Sequence, residues 1–185
     1  MTNSNNPSAV RSQAEITQAL ISLMRKYPYS EITVKQVILE ARLARKTFYR
    51  NFESKDDVLM SLIKKVFLDY FNTVNNALSD PLTAVFAFAD KNRELLLLLD
   101  KNCMMYLLLN FMNEFAPTFL KMQNKELNPF FKLFEGLDSN YLIAMNTGAL
   151  LNVITLWVHR GMTDPPEKVK QTLVAYLRRI KQAEI

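Results

Sequence analysis

The chain has 185 residues, 49% of them hydrophobic and 22% charged, with a formal net charge of +5. A chain of this length buries about 70% of its unfolded surface and folds without staples; its one cysteine, Cys103, excludes a disulfide framework, and its one histidine, His159, excludes any site built on two imidazoles. Glycine occurs only three times, and because strand-and-turn folds need it in tight turns while helix interiors lose stability to it, an all-α protein is predicted.

The chain opens on a polar stretch, Met1 to Pro7, without the basic and apolar regions of a signal peptide. No apolar run is expected to reach the ~18–20 residues that span a bilayer. The nearest, Leu95 to Leu109, is interrupted by Asp100, Lys101 and Asn102. A soluble, cytoplasmic protein without a membrane partner is the expectation. No nucleophile–base pair, metal cluster or glycine-rich phosphate loop stands out, so no catalytic residue, metal or cofactor is assigned and an enzyme is not expected.

A first helix, starting near the capping-box match Ser12-x-x-Glu15, carries Ile16, Leu20, Leu23 and Met24 on one face. It ends by Tyr27-Pro28, since a residue before proline is pushed out of the α region. Thr33-x-x-Gln36 is a second capping box, ahead of Val34, Val37, Ile38 and Ala41 at helical spacing. After a break at Arg42-Leu43, a third short helix near Arg45 to Asn51 holds Phe48 and Phe52 on its inner side. Ser54-x-x-Asp57 caps a long fourth helix with the stripe Val58, Leu59, Leu62, Ile63, Val66, Phe67 and Tyr70.

Charge is unevenly spread. Residues 1–72 hold 11 Lys/Arg against 7 Asp/Glu, and the stretch Arg42 to Arg50 carries Arg42, Arg45, Lys46 and Arg50 with no acid among them. Such a cluster is either a solvated helix face or a nucleic-acid footprint. Two short helices joined by a tight turn, the second one basic, point to helix-turn-helix. With Leu43, Phe48 and Phe52 inward, Arg45, Lys46, Thr47, Tyr49 and Arg50 project outward. Those types suit DNA: cations for guanine edges and phosphates, a threonine methyl for thymine, a tyrosine hydroxyl for phosphate. Packing on a neighbouring helix is the ordinary alternative for Tyr49. Lys55 opposes the macrodipole in the first turn of its helix, where a phosphate would be held by lysine and free N–H groups together; a solvated surface lysine is the other reading.

The stretch from Thr33 to Leu59 resembles the N-terminal signature of TetR-family transcriptional regulators, above all in Thr47-Phe-Tyr-Arg-Asn-Phe-Glu-Ser-Lys55 followed by Asp56, Asp57 and Leu59. The resemblance implies a three-helix DNA-binding domain whose third helix enters the major groove, and a dimer that reads a palindrome. It implies phosphate contacts from Thr33, Tyr49, Arg50 and Lys55, and base contacts from Arg45, Lys46 and Thr47. Two positions depart from the pattern, which has glycine where this chain has Arg42 and a hydroxyl residue where it has Ala44. Arg42 must therefore take a left-handed conformation or use a different turn, and Ala44 offers no side-chain cap.

Beyond Asn72, Asp80-Pro81 reads as a cap and first position for a helix over Leu82 to Asp90. Helices follow over Glu94 to Leu99, Met104 to Met122 (with a bend at Pro117 as one option) and Ser139 to Arg160; Pro129 opens a short aromatic segment before the last of these. Gly161 stops that helix, and Asp164-Pro-Pro-Glu167 starts a final one with Val169, Leu173, Tyr176, Leu177 and Ile180 on one face. Gly148 to Arg160 is apolar nearly all round, so it is either a central core helix or one shared with a second subunit. Gly148 to Leu173 also resembles a TetR subgroup that includes an activator of dihydroxyacetone kinase genes, which implies a dimer interface on the last two helices, assigned to Leu150, Leu151, Ile154, Trp157, Leu173 and Leu177. Met104, Tyr106, Phe111, Met112, Phe115 and Phe119, with Phe130, Phe131 and Phe134 beyond, line either an adaptable apolar ligand pocket or plain core. Cys103 is expected as a small core residue and His159 as a cap or solvated group.

The expected organisation is an N-terminal helix-turn-helix domain over 1–54 and a C-terminal helical dimerisation and effector domain over 55–185. The expected function is a homodimeric DNA-binding regulator, acting as a repressor on double-stranded DNA and released by an apolar small molecule. The alternative is a regulator answering to a protein partner through its C-terminal domain, with no small-molecule ligand.

Overall fold

The computed structural model of the chain describes residues 7–75, 81–122 and 135–183, and every regular element among these is helical. Helix α1 covers Pro7–Lys26, and a 3-10 turn, Tyr29–Glu31, leads to α2 (Val34–Glu40), α3 (Arg45–Asn51) and α4 (Lys55–Asn75). Then come α5 (Pro81–Lys91), α6 (Arg93–Lys101), α7 (Tyr106–Met122), α8 (Ser139–His159) and α9 (Pro166–Gln182). The chain divides into two compact units, Met1–Phe67 and Leu68–Ile185. The divide falls within α4, where Val58, Leu59, Ile63 and Phe67 are buried.

In that unit α1 packs on α2 and α3. Ile16, Leu20, Leu23 and Met24 are buried as their spacing predicts, joined by Val37, Phe48 and Phe52. Helix α1 starts at Pro7 and not near Ser12. Proline is pre-set for a first helical turn, and Ser12 is buried inside the helix, where its hydroxyl donates to the Ser8 carbonyl at 2.9 Å instead of capping.

In the second unit α8 packs on both α6 and α7, while α9 lies on α5. The Trp157 ring stands edge-on to Phe86 with centroids 5.6 Å apart, and its indole N–H donates to the Asp164 carbonyl at 2.9 Å. That bond ties the end of α8 to the start of α9. The guanidinium of Arg93 holds the same turn, donating to the carbonyls of Gly161 (2.7 Å) and Met162 (3.1 Å). Gly161 ends α8 with φ +71°; its N–H donates to Val158 and that of Met162 to Trp157, the paired bonds that close a helix C-terminus through a left-handed residue.

The same closure recurs with side chains that glycine normally replaces. At the end of α6, Cys103 has φ 57°, with bonds from Cys103 N–H to Asp100 and from Met104 N–H to Leu99. Cys103 is exposed, against the expectation of a small core residue, because the turn position points it outward. His159 is exposed and sets Nδ1 3.3 Å from the Asp100 carboxylate.

One sequence expectation about length and hydropathy is overturned. Among the described residues, α8, with 21 residues, is long and apolar enough to cross a bilayer by length and composition. It escapes notice in the sequence because Asn146, Thr147, Asn152 and Thr155 break its apolar runs while adding no charge. The Leu95 to Leu109 run instead divides between α6 and α7, which bend by 118° at their junction. Asp80, Pro129, Phe130, Phe131 and Phe134 lie outside the described residues, as do the side chains of Pro117 and Phe119.

Candidate nucleic-acid interface

The turn between α2 and α3 is built from the two departures in the sequence. Arg42 adopts the left-handed conformation, φ 55°, with its N–H donating to Leu39 and that of Leu43 to Ile38. This is the glycine closure made with an arginine. Ala44 is the N-cap of α3 and offers no side-chain hydrogen bond, as its methyl group dictates.

At the other end of α2 the predicted capping box is complete. The Thr33 hydroxyl accepts from the Gln36 N–H at 3.3 Å and donates to Gln36 Oε1 at 2.8 Å, which also accepts the Thr33 N–H at 2.7 Å. Helix α2 is fastened to α1 through Glu40, whose carboxylate accepts from the Ser22 hydroxyl and faces the Lys26 ammonium at 3.6 Å. The Ser22 hydrogen bond first, and the Lys26 charge second, hold the Glu40 carboxyl below the usual carboxylate range.

Helix α3 presents two sides. Phe48 is fully buried and meets Phe52 across 6.2 Å between centroids. Arg45, Lys46, Tyr49 and Arg50 are exposed and Thr47 is half-buried. Tyr49 is 47% exposed, and its ring meets that of the neighbouring Phe48 edge-on with centroids 5.3 Å apart. The Arg45 guanidinium sits 5.4 Å from the Tyr49 ring centroid, a cation over a π face one helical turn away. The outcome is an exposed, acid-free face of three cations and an aromatic phenol on a helix seven residues long.

Lys55 stands apart. It is half-buried at the first position of α4, and Nζ donates to the carbonyls of Tyr29 at 2.6 Å and Ile32 at 2.7 Å. Nothing in the sequence pairs Lys55 with Tyr29, 26 residues upstream. Ser54 caps α4 as predicted, accepting from the Asp57 N–H at 3.1 Å.

Residues 16–62, which span this whole arrangement from α1 into α4, match the profile described as bacterial regulatory proteins, tetR family. Residues 16–62 form a tetR-family regulatory domain. The chain is also similar in fold to several solved structures. It is similar to a TetR transcriptional regulator from Streptococcus agalactiae (TM-score 0.65, 21% identity, 91% of this chain and 94% of that one). It is similar to the dihydroxyacetone kinase operon activator DhaS (TM-score 0.62, 20% identity, 93% and 97%). A third is the fatty acid degradation regulator FadR from Bacillus halodurans (TM-score 0.60, 22% identity, 92% and 96%). No curated protein matches the chain. The tetR-type domain thus carries its exposed basic helix where the sequence pattern places it.

The remaining predicted residues fall in the second unit. Phe111 is buried and stacks on half-buried Phe115 with centroids 4.3 Å apart; Met104 and Met112 are half-buried, and Tyr106 is 57% exposed. Of the residues assigned to an interface, Ile154 and Trp157 are buried within their own chain, Leu150, Leu151 and Leu173 are half-buried, and Leu177 is exposed. The large apolar residues exposed on α8 are Tyr141, Met145 and Leu156, on the side away from Ile154 and Trp157. Sequence reasoning missed them, because a helix apolar all round does not show which side its own chain covers.

Proposed function

We propose that the protein is a homodimeric transcriptional repressor that binds a palindromic operator in double-stranded DNA through α3 and is released by an apolar small molecule. The observation that carries this reading is the exposed face of Arg45, Lys46, Tyr49 and Arg50 on the tetR-family domain. Arg45 and Lys46, with Thr47 beside them, face base edges; Tyr49 and Arg50, with Thr33 at the start of α2, face phosphates. One short helix contacts few base pairs, so a pair held about 34 Å apart is needed to read both halves of a palindrome. Support for pairing comes from α8, most of whose apolar length its own chain leaves unburied, and from α9, which has no buried residue. The effector would lie along α7, beside Met104, Met112 and Phe115, an adaptable surface for an apolar ligand.

Sequencing the DNA fragments retained by purified protein, followed by titrations on the recovered duplex and a scrambled one, tests this reading. Tyr49→Ala is expected to weaken binding to both alike. Arg45→Ala is expected to relax preference at one base pair by ~1–3 kcal/mol. Unchanged affinity in both variants would remove α3 from the interface.

A further inference from the structure

The sequence pattern sends Lys55 to a phosphate, yet the fold already uses its ammonium. Nζ donates to Tyr29 O at 2.6 Å and to Ile32 O at 2.7 Å, which leaves one N–H, and the Tyr29 ring centroid stands 4.4 Å away to receive it. The neighbouring Asp56 takes the far end of the same side chain, accepting from the Tyr29 hydroxyl at 2.6 Å. Consecutive residues of α4 therefore grip Tyr29 at its carbonyl, its ring and its hydroxyl, and Tyr29 is itself buried. Between the two gripped carbonyls runs the 3-10 turn, and the next residue after Ile32 is Thr33, the N-cap of α2. Short charge-assisted bonds of this kind are the strong ones, and their loss would leave the Tyr29 carbonyl with the Ile32 N–H alone, at 3.2 Å, and take the ammonium from the Ile32 carbonyl. The turn so held is what places the start of α2, and through it α3.

We infer that Lys55 is a positioning residue of the DNA-binding unit and not a phosphate contact: with Asp56 it clamps Tyr29 and Ile32, and so sets where α2 and α3 stand. The inference rests on the proposal that α3 binds DNA. Salt dependence separates the two roles, because each phosphate contact adds close to one unit to the slope of log affinity against log salt, whereas a positioning contact adds none.

The measurement is affinity for a short duplex of arbitrary sequence over a series of salt concentrations, beside thermal melts, for Arg50→Ala, Lys55→Met and Tyr29→Leu. Arg50→Ala should make the slope shallower by about one and leave the melt unchanged. Lys55→Met should keep the wild-type slope, melt earlier, and bind roughly three- to tenfold more weakly at every salt concentration. Tyr29→Leu keeps the Lys55 charge while removing the ring and hydroxyl that it and Asp56 hold; it should show the same uniform loss, and it carries the test alone if Lys55→Met does not fold. A slope for Lys55→Met as shallow as that of Arg50→Ala overturns the inference, as does full affinity in a folded Tyr29→Leu. An unchanged slope for Arg50→Ala would instead count against DNA binding by α3, a separate result.

Discussion

Arg42 and Cys103 occupy the same kind of position, the left-handed residue just past a helix end, at φ 55° and 57°. A residue with a Cβ is disfavoured there by roughly 1–2 kcal/mol, part of which glycine returns through the greater freedom of its unfolded chain. Arg42→Gly should therefore stabilise the first unit, and Cys103→Gly the second, each by about 0.5–1 kcal/mol. Urea midpoints, read separately for the two units, check this; equal or lower midpoints in both variants would mean that these turns are unstrained. Gly161 shows the unstrained case, with the same bonds and φ +71°. That Arg42 stands where the family pattern has glycine is readable from sequence; that it keeps the left-handed turn depended on the closing bonds to Ile38 and Leu39, which only the fold reveals.

At the scale of the element, α7 divides between core and open surface. Leu108, Phe111 and Phe115 recur at helical spacing towards the chain's own interior, where Phe111 is 3% exposed, while Tyr106 on the same helix is 57% exposed. Phe111→Ala is thus expected to cost about 3–5 kcal/mol by leaving a cavity, and Tyr106→Ala to stay within about 0.5 kcal/mol as a surface change. Urea unfolding beside DNA titration is the measurement. A stable Phe111→Ala protein with an altered effector response would make this segment a pocket wall and not core. The aromatic and methionine composition cannot separate those roles, since both use the same residue types at the same spacing.

At the scale of the whole molecule the question is which apolar faces a second copy would cover. Leu156 on α8 and Leu177 on α9 are 52% and 55% exposed, so a charge at either position is tolerated by a single chain. Buried at an interface, the same unpaired charge would cost several kcal/mol. Leu156→Glu with Leu177→Glu is expected to give a folded, helical monomer that no longer binds specific DNA. Light scattering after size exclusion, with circular dichroism, reads both properties. A double variant that remains dimeric places the interface elsewhere; a wild type that is monomeric at micromolar concentration removes it.

What the sequence determined by itself was everything carried by local spacing. The scarcity of glycine and the three- and four-residue apolar repeats specify helices, and the Thr33-Gln36 box, Gly161 and the proline start of α9 mark ends that the fold keeps. The outward face of α3 was legible for the same reason, because burying Phe48 and Phe52 forces Arg45, Lys46, Tyr49 and Arg50 to the other side. Only the tertiary structure decided matters that depend on what lies opposite a residue. It put Ile154 and Trp157 against their own chain and left Leu156 free, and it spent the Lys55 ammonium on carbonyls distant in sequence. Periodicity orders side chains around one helix axis, but a helix apolar on every side and a lysine long enough to reach several partners take their roles from neighbours that come together only on folding.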